Sequence, residues 1–589
     1  MKRASIFLGS NPFHTENPAV SGEIVHIGDE AFYKIANYDA MPSFFMNIVS
    51  DADLWMFISS NGALTAGRRN PDNALFPYYT DDKIQDASEI TGSKTAILLD
   101  KDGKTFLWEP FSARYQGVYR LTRNIYKNIV GNKLLFEEIN HDLDAVFQYA
   151  WNNCDAFGFV KRARVANLGS TPLNLRVLDG LQNILPPQVE RRFQLEYSNL
   201  LDGYKKNERL GESFLAVYTL SSVPTDKAEP SESLKANTVW STGLGDALVL
   251  LSSNQLDAFR SGLGVMPERD VRAARGAYFL QAEIALAPAG EKTWYFAADL
   301  NLDHRQLEAL YARLEAGGLS GEDLEAEIAR DTARLTQKIA QADGCQATAD
   351  RLNVFRHFSN TLFNILRGGI FDNGYWVDKK DFLRFLNTAN HQLAQQYEPF
   401  LEALPEQVSL PELSALLGET DPHLERLGSQ YLPLKFSRRH GDPSRPWNQF
   451  SIELKDADGG KKLDYQGNWR DIFQNWEALA LSYPGYLEHM IARFLSASTA
   501  DGYNPYRLIR DGFDWEIIDP ADPWSHIGYW GDHQIIYLLK LLELSQKYHP
   551  GRLAELLGKP IYTYANVPYR IKPYRDLVKN PHETIDFDA

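Results

Sequence analysis

Few cysteines and no long apolar run set the first limits on this sequence. Its 589 residues include two cysteines, Cys154 and Cys345, far apart and in no spacing used by a metal site. We therefore expect no disulfide framework and no structural metal, and a cytoplasmic protein. A stretch of about 18 apolar residues, which a membrane helix needs, is missing, and the apolar run near Met1 is too short for a signal peptide.

The chain also lacks an excess of positive charge. It has 61 Lys and Arg against 77 Asp and Glu, a net charge of −16. Such a chain has no broad attraction for nucleic-acid phosphates or anionic lipid. We therefore expect no nucleic-acid partner and no membrane partner, and neutral polyols fit the composition better.

Aromatic residues are plentiful by comparison, at 12% of the chain. Many lie in polar segments rich in Gly, Pro and Asp, where a flat apolar face has hydrogen-bonding neighbours. Sugar rings, with apolar faces and hydroxyl edges, match such surfaces. Ordinary core packing is the alternative reading of these aromatics.

The length predicts more than one domain, because single cores stop growing near about 250–300 residues. Residues from about 20 to 300 read as short strands bounded by turns, such as Val118–Tyr126 and Lys133–Ile139. Crossover helices do not intervene, which favours antiparallel sheets packed as a sandwich. From Asp303 onward, apolar residues recur at helical spacing instead.

Several later segments read as helices, and their apolar faces differ. Trp469–Tyr483 and Gly485–Ser498 carry their apolar residues on one side, whereas His533–Tyr548 is apolar almost all round and is predicted to be buried. Alternating inner and outer helices are typical of an (α/α)6 barrel, with a plain helical bundle as the alternative. Leu352–Phe371 and Asp378–Leu404 also read as helices.

These patterns predict a multidomain β + α protein. We expect an antiparallel β-sandwich over residues 1–300, a helical linker over 301–350 and a ring of helices over 351–589. Two long connections in the helical part, Ser437–Asn468 and Ala500–Gly531, show no clear periodicity. Connections longer than about 12–15 residues are usually functional.

Three short motifs carry a family resemblance. The segment Asp53–Asn70 (DLWMFISSNGALTAGRRN) resembles the start of the sandwich of glycoside hydrolase family 94, formerly glycosyltransferase family 36. Gly467–Asn475 (GNWRDIFQN) resembles that family's Gly-x-Arg-Asp-x-x-Gln-Asp, and Tyr529–Gln534 (YWGDHQ) resembles its Ser-Asp-Asp-His segment. Their order and rough spacing agree with the family, which includes cellobiose phosphorylases and the phosphorylase-like part of cyclic β-1,2-glucan synthases.

The resemblance implies a galactose mutarotase-like β-super-sandwich over residues 1–300 and the N-terminal part of a six-hairpin glycosidase-like (α/α)6 barrel over residues 351–589. It also implies an activity on carbohydrates. The implied enzyme is an inverting phosphorylase, or a related glycosyl transferase or hydrolase, acting on β-linked glucosides through an Asp general acid. Its partner would be a β-glucan oligosaccharide or disaccharide, with inorganic phosphate as a co-substrate and no cofactor. The resemblance also allows a homodimer.

Two departures from the family pattern weigh on this reading. Asn475 stands where the family usually has Asp, and the Trp-Asn-Asp motif that carries the family's general acid does not occur. We therefore expect the catalytic acid to lie beyond Ala589 and leave the catalytic residue unassigned. The alternative function is a non-catalytic carbohydrate-binding module or a truncated remnant.

The resemblance also implies sugar-binding residues, each with a competing structural role. Arg470 and Asp471 would hold sugar hydroxyls, although Asn468 and Asp471 also suit a helix cap. Trp530, Asp532 and His533 would contact substrate or simply begin the next helix.

Charged loop residues complete the candidates. Arg439 and His440, next to Arg438, could bind phosphate or a charged sugar, or form a solvated cluster. The carboxylates Asp514 and Glu516 flank Trp515, a known setting for an acid with a raised pKa. If the inner helices run parallel, their N-termini and these loops converge on one surface.

Overall fold

The computed structural model describes residues 6–14, 18–225, 228–438, 441–445, 450–456, 459–515, 533–567, 569–581 and 585–587. The chain forms two compact units. Unit 1 comprises Met1–Thr336 with Asp442–Pro446, and unit 2 comprises Gln337–Gly441 with Trp447–Ala589.

Unit 1 is built mainly from strands. In chain order these are β1 (Phe7–Leu8), β2 (Asn11–Pro12), β3 (Ser21–Ile27), β4 (Glu30–Ala36), β5 (Phe45–Ile48), β6 (Leu54–Ser59), β7 (Leu64–Arg68), β8 (Ala74–Phe76), β9 (Gly92–Lys101), β10 (Lys104–Trp108), β11 (Leu121–Asn128), β12 (Leu134–Asn140), β13 (Ala145–Cys154), β14 (Gly158–Asn167), β15 (Leu173–Ile184), β16 (Lys205–Arg209), β17 (Ala216–Leu220), β18 (Ala236–Thr242), β19 (Leu248–Leu250), β20 (Asp270–Arg272), β21 (Gly276–Leu286) and β22 (Glu291–Leu302). The helices are α1 (Asp81–Asp86), α2 (Arg191–Glu196), α3 (Ser198–Asp202), α4 (Leu256–Arg260), α5 (His304–Glu315) and α6 (Gly321–Gln341), the last of which runs into unit 2.

Three sheets make up the sandwich. The largest has eleven strands in the order β20-β16-β17-β18-β22-β14-β13-β12-β11-β4-β3. The second has the order β10-β9-β15-β21-β19 and the third β5-β6-β7-β8. Neighbouring strands in these three sheets pair antiparallel. The predicted antiparallel sandwich is therefore confirmed.

The core of unit 1 follows from the alternation of side chains along the strands. In β12, Leu134 and Phe136 are buried, whereas the residues that follow each of them, Leu135 and Glu137, are partly exposed. Because successive side chains point to opposite faces of a sheet, this alternation places one face of β12 in the core. Large aromatics from other strands join the same buried cluster, among them Trp108, Trp151 and Trp294.

The first helices after the sandwich pack against it. Leu307, Leu310 and Leu314 of α5 and Leu324 and Ile328 of α6 join a buried cluster with strand residues of unit 1. The helical spacing of these residues is the pattern that predicts a helical linker over residues 301–350. In the structure, this apolar stripe packs on the sandwich, with the α6 residues buried and the α5 residues partly buried.

Unit 2 is mainly helical. Its helices are α7 (Arg351–Gly368), α8 (Lys379–Ala389), α9 (His391–Gln396), α10 (Glu398–Glu402), α11 (Leu410–Gly418), α12 (Pro422–Gly428), α13 (Trp469–Ser482), α14 (Leu487–Ala497), α15 (Gln534–Tyr548), α16 (Arg552–Leu557) and α17 (Tyr574–Leu577). Its short strands are β23 (Ile370–Phe371), β24 (Trp376–Asp378), β25 (Gln407–Ser409), β26 (Leu434–Lys435), β27 (Gln466–Asn468), β28 (Arg507–Ile509), β29 (Gly512–Asp514), β30 (Tyr569–Ile571) and β31 (Ile585–Phe587). The predicted helical region is confirmed, and the (α/α)6 barrel remains a prediction.

Two expectations for unit 2 were wrong. The single helix predicted over Asp378–Leu404 is three helices, because Asn390 caps the start of α9 and Pro399 lies in the first turn of α10. The connection Ala500–Gly531 is not structureless in its described part, where β28 and β29 form a hairpin.

Helix α15 also departs from the expectation that it is buried all round. Leu538 and Leu541 are buried, but Ile535, Ile536 and Leu539 are 55%, 52% and 54% exposed. The buried side packs on α13 and α14. The expectation of complete burial came from the apolar residues on almost all sides of the helix, a pattern typical of interior helices.

Among the described residues, no helix combines the length and the apolar character needed to cross a membrane.

Candidate functional site

The start of α13 is fixed by a small sheet. Strand β27 pairs with β28, so that Asn468 lies opposite Arg507, and the helix begins at the next residue, Trp469. The Trp469 amide donates to the carbonyl oxygen of Tyr506 at 3.0 Å. This sheet sets the direction in which the first turn of α13 presents Arg470 and Asp471.

The start of α15 lies beside the start of α13. The Nε2 atom of His533 is 2.9 Å from the carbonyl oxygen of Arg470. A carbonyl oxygen only accepts, so His533 donates through Nε2 and its tautomer is fixed. Two of the predicted substrate-binding residues, which are 63 positions apart in sequence, therefore meet at one place. Because both helices begin there, the partial positive charge of two helix N-termini is concentrated at that point.

Asp471 occupies the third position of α13, as the cap hypothesis required. Asn468 is the N-cap residue, but its side chain makes no cap hydrogen bond to the helix backbone. Its Nδ2 atom instead lies 3.4 Å from Oδ2 of Asp471. The predicted capping box is therefore wrong in its hydrogen bonding, and the partly exposed Asp471 carboxylate keeps acceptor capacity at the helix start.

Gln534 introduces a polar group that the sequence analysis did not weigh. It is the first residue of α15 and is fully buried. Neither its Oε1 nor its Nε2 atom has a hydrogen-bond partner among the described residues. Leaving a buried donor or acceptor unpaired costs about 1–3 kcal/mol. Such a group beside His533 is typical of a site that is completed by a ligand or water.

The C-terminal end of α7 reaches the same part of unit 2. Trp476 of α13 donates through Nε1 to the Gly368 carbonyl oxygen at 2.9 Å. The Ser437 hydroxyl lies 3.0 Å from the Arg367 carbonyl oxygen and 3.2 Å from that of Gln466. Gln466 and Asn468 are two residues apart on β27, about 7 Å along an extended strand. These contacts bring residues 367 and 437–438 close to the start of α13.

Two arginines stand together at this end of α7. Burial and the neighbouring Arg367 lower the pKa of Arg438 to about 10. Neither guanidinium forms an ion pair with a carboxylate of the described residues, and the Arg438 amide is tied to the Leu366 carbonyl oxygen at 2.8 Å. We call Arg367 and Arg438 the arginine pair. A pair of like charges without a carboxylate is unfavourable until an anion binds, and guanidinium forks match phosphate oxygens.

The remaining candidates are placed differently. Asp514 forms an ion pair with Arg507, in which the Arg507 Nε atom lies 2.7 Å from the Asp514 Oδ2 atom. The Asp514 carboxylate therefore holds the hairpin of β28 and β29 together. Trp515 packs near Tyr503, with ring centroids 6.0 Å apart. Outside the described residues lie Arg439, His440, Glu516, Trp530 and Asp532.

Sequence reasoning missed Arg367 and Gln534. Arg367 ends a helix, where a basic residue is expected for helix stability alone. Gln534 stood within the motif YWGDHQ, but nothing in the sequence marks a glutamine as buried and unpaired. Among the described residues, no cluster of His, Cys, Asp or Glu is arranged to hold a metal ion.

One segment of the chain matches a known protein family. Residues 371–433 match the family model described as glycoside hydrolase family 149 insertion domain 1. That segment contains α8 to α12 and the paired strands β24 and β25. Among curated proteins, none matches this sequence.

Solved structures show weaker likeness. A bacterial glucoamylase in complex with acarbose is 12% identical over 91% of this chain and 80% of its own, with a TM-score of 0.32. A protein from the human microbiome assigned as a kojibiose phosphorylase is 9% identical over 91% of this chain and 60% of its own, with a TM-score of 0.29. A protein from Klebsiella pneumoniae assigned as an aldose 1-epimerase is 9% identical over 51% of this chain and 92% of its own, with a TM-score of 0.25.

Proposed function

We propose that this protein is a carbohydrate-active enzyme, an inverting phosphorylase that cleaves β-linked gluco-oligosaccharides with inorganic phosphate. The match of residues 371–433 to an insertion domain of a glycoside hydrolase family supports a role in glycoside chemistry. The motif resemblance at Gly467–Asn475 supports the β-glucoside and phosphate-dependent reading.

The observation that supports the proposal is a set of hydrogen bonds that brings the backbone of the arginine pair near β27 and the start of α13, where α15 also begins. Asp471 and the start of α15 offer hydrogen-bond groups suited to sugar hydroxyls. The arginine pair, joined to β27 through Ser437, offers positive charge that no carboxylate of the described residues neutralises by an ion pair. A hydrolase acting on neutral glucans would have no use for that charge, whereas a phosphorylase must hold phosphate beside the sugar.

The chemistry assigns separate tasks to these groups. In inverting phosphorolysis, a phosphate oxygen bonds to the anomeric carbon as the glycosidic bond breaks on the opposite face, and a carboxylic acid protonates the leaving oxygen. Phosphate is itself the nucleophile, so no protein base is required. In this proposal Arg470 and Asp471 orient the sugar ring, and Arg367 and Arg438 hold the phosphate and offset its charge.

The direct test is phosphate-dependent cleavage. The protein expressed from its complete gene is incubated with β-linked gluco-oligosaccharides of several linkages and with inorganic phosphate, and sugar phosphate is followed by phosphorus NMR. We expect glucose 1-phosphate in the α configuration, because inversion at a β linkage gives the α product. The proposal is wrong if no linkage yields sugar phosphate. Binding without turnover would instead support a non-catalytic carbohydrate-binding module.

A further inference from the structure

Unit 1 contains a polar cavity of its own, of about 290 Å³. It lies where the β5–β8 sheet, through the turn at Ser60–Gly62, meets residues of β9, β11 and β13. We call it the sandwich cavity. Its lining includes Tyr38, Tyr149 and Phe111 as well as several charged side chains. Its volume is near the lower end of the range of small-molecule sites.

Two tyrosine hydroxyls in the sandwich cavity have no hydrogen-bond partner in the part of the chain that the structure describes. Tyr38 and Tyr149 are 5% and 3% exposed, and neither hydroxyl makes a hydrogen bond to the described residues. Burial raises the pKa of both groups, so both stay protonated and can donate. Both residues line the cavity, so their hydroxyls are placed to donate to an acceptor bound there.

The ring of Tyr149 is held in place. It stacks on Phe136 with ring centroids 4.8 Å apart and meets the edge of Phe111 at 5.1 Å. The turn at Gly62 comes so close that a β carbon there would lie 3.0 Å from the Tyr149 hydroxyl oxygen. The hydroxyl is therefore preorganised by packing before any ligand arrives.

The backbone at Phe111 is in an unusual conformation. Its φ of 63° lies in the left-handed region, which a bulky residue rarely adopts. The Phe111 amide donates to Oε2 of Glu138 at 2.7 Å, and this bond fixes the strained turn. Strain of this kind is concentrated at binding sites, and here it places an aromatic ring in the cavity wall.

The charges around the sandwich cavity are already compensated. Lys94 lies 2.6 Å from the buried carboxylate of Glu109 and 2.7 Å from that of Glu89. Arg123 lies 2.7 Å from the buried carboxylate of Glu138. Because each lining cation has a carboxylate in contact, the cavity has no surplus positive charge for an anion. A neutral ligand rich in hydroxyl groups fits this lining better than a phosphate does.

We propose that the sandwich cavity binds a neutral sugar, either a monosaccharide or the end unit of a glucan chain. The tyrosine hydroxyls donate to ring or hydroxyl oxygens, and Glu89 accepts from sugar hydroxyls. The Phe111 ring in the cavity wall packs against the apolar side of the sugar. This site belongs to unit 1 and does not depend on the proposed phosphorolysis.

The test is hydrogen–deuterium exchange of the full chain, titrated with D-glucose and with cellobiose. We expect protection in peptides that cover residues 38–43, 60–62 and 110–113. The double variant Tyr38→Phe with Tyr149→Phe removes the two hydroxyls and keeps the rings, and it should weaken the apparent affinity roughly tenfold. If the double variant does not fold, each single variant is measured instead. Tyr126→Phe is the matched control, because its hydroxyl binds Glu137 and it does not line the cavity.

The variant Asp471→Asn separates this proposal from the phosphorylase proposal. Protection of the three unit 1 peptides should persist in that variant, even where turnover is lost. The proposal is overturned if neither sugar protects those peptides in the wild type. It is also overturned if the tyrosine variants retain full affinity.

Discussion

At the scale of single residues, the candidate site combines groups that lack their usual partners. Among the described residues, the buried Gln534 amide has no hydrogen-bond partner and the arginine pair has no carboxylate in ion-pair contact. Folding alone does not favour such groups, since each costs free energy that a bound ligand would recover. The site could therefore be predicted only in part. A sequence shows the residue types, but it does not show which polar atoms lack hydrogen-bond partners in the folded chain.

Replacing Asp471 by Asn is expected to weaken oligosaccharide binding about tenfold or more. The variant keeps the size of the side chain but loses a charge-assisted acceptor, whose net value is about 1.5–3 kcal/mol. Isothermal titration gives the affinity and a urea melt gives the stability. If the loss of binding free energy is no larger than the loss of unfolding free energy, Asp471 stabilises the start of the helix and is not a sugar ligand.

Replacing Arg438 by Met should raise the KM for phosphate at least tenfold and leave sugar affinity unchanged. It should also leave the unfolding midpoint the same or higher, because a partly buried positive charge beside Arg367 is removed. Phosphate should raise the Tm of the wild type and not that of the variant.

Arg426→Met serves as the matched control for that experiment. Arg426 also has a pKa lowered by burial, but it lies on α12, within the insertion segment. It should not change the response to phosphate. An equal loss of the phosphate effect in both variants would contradict a specific anion site at the arginine pair.

His489 provides a prediction on pH. Burial lowers the pKa of His489 from 6.5 to about 4, against the opposing effects of its bond to the Tyr431 carbonyl oxygen and of Glu488. Below about pH 6.5 the unfolded chain takes up a proton that the folded chain does not. The free energy of unfolding should therefore fall by about 3 kcal/mol between pH 6.5 and 4, and this contribution is fully present above pH 6.5.

Urea unfolding at pH 7 and pH 5 measures this effect. His489→Asn keeps a donor for the Tyr431 carbonyl oxygen and cannot titrate, so its stability should fall by about 2 kcal/mol less than that of the wild type between these pH values. Equal losses in both proteins would show that His489 titrates normally in the folded state.

At the scale of elements, helix periodicity predicted the positions of the helices well. It predicted less well which faces of those helices are buried. The bounds of α13 and α15 follow the predicted segments closely, because their apolar spacing is regular. The segment after Asp378 was divided by Asn390 and Pro399, whose local effects a long amphipathic pattern concealed. The exposed face of α15 could not be identified from the sequence, because the helix carries apolar residues on nearly every side.

A pair of substitutions on α15 tests the packing of that helix. Leu541→Ala should lower the free energy of unfolding by about 2–5 kcal/mol, because it opens a cavity against α13 and α14. Ile536→Lys should change it by less than about 0.5 kcal/mol, because Ile536 is 52% exposed. Urea denaturation of both variants measures the difference. A large loss for Ile536→Lys would mean that this face is covered in solution.

At the scale of the whole molecule, the sequence predicted the two kinds of architecture and their order. Alternating strands and regular turns identify an antiparallel sandwich because the period of two is a local property. A barrel depends on how distant helices close around one another, and periodicity does not carry that information. The sandwich cavity was likewise unpredictable, since its lining comes from positions as far apart as Tyr38, Phe111 and Tyr149.

The most direct test of the central claim is a crystal structure of the full chain with cellotetraose and inorganic phosphate. The account predicts a glucose ring within hydrogen-bond distance of Asp471, at the joined starts of α13 and α15, with phosphate against Arg367 and Arg438. A sugar chain bound in unit 2 away from Asp471, or phosphate absent from the arginine pair at saturating concentration, would contradict it.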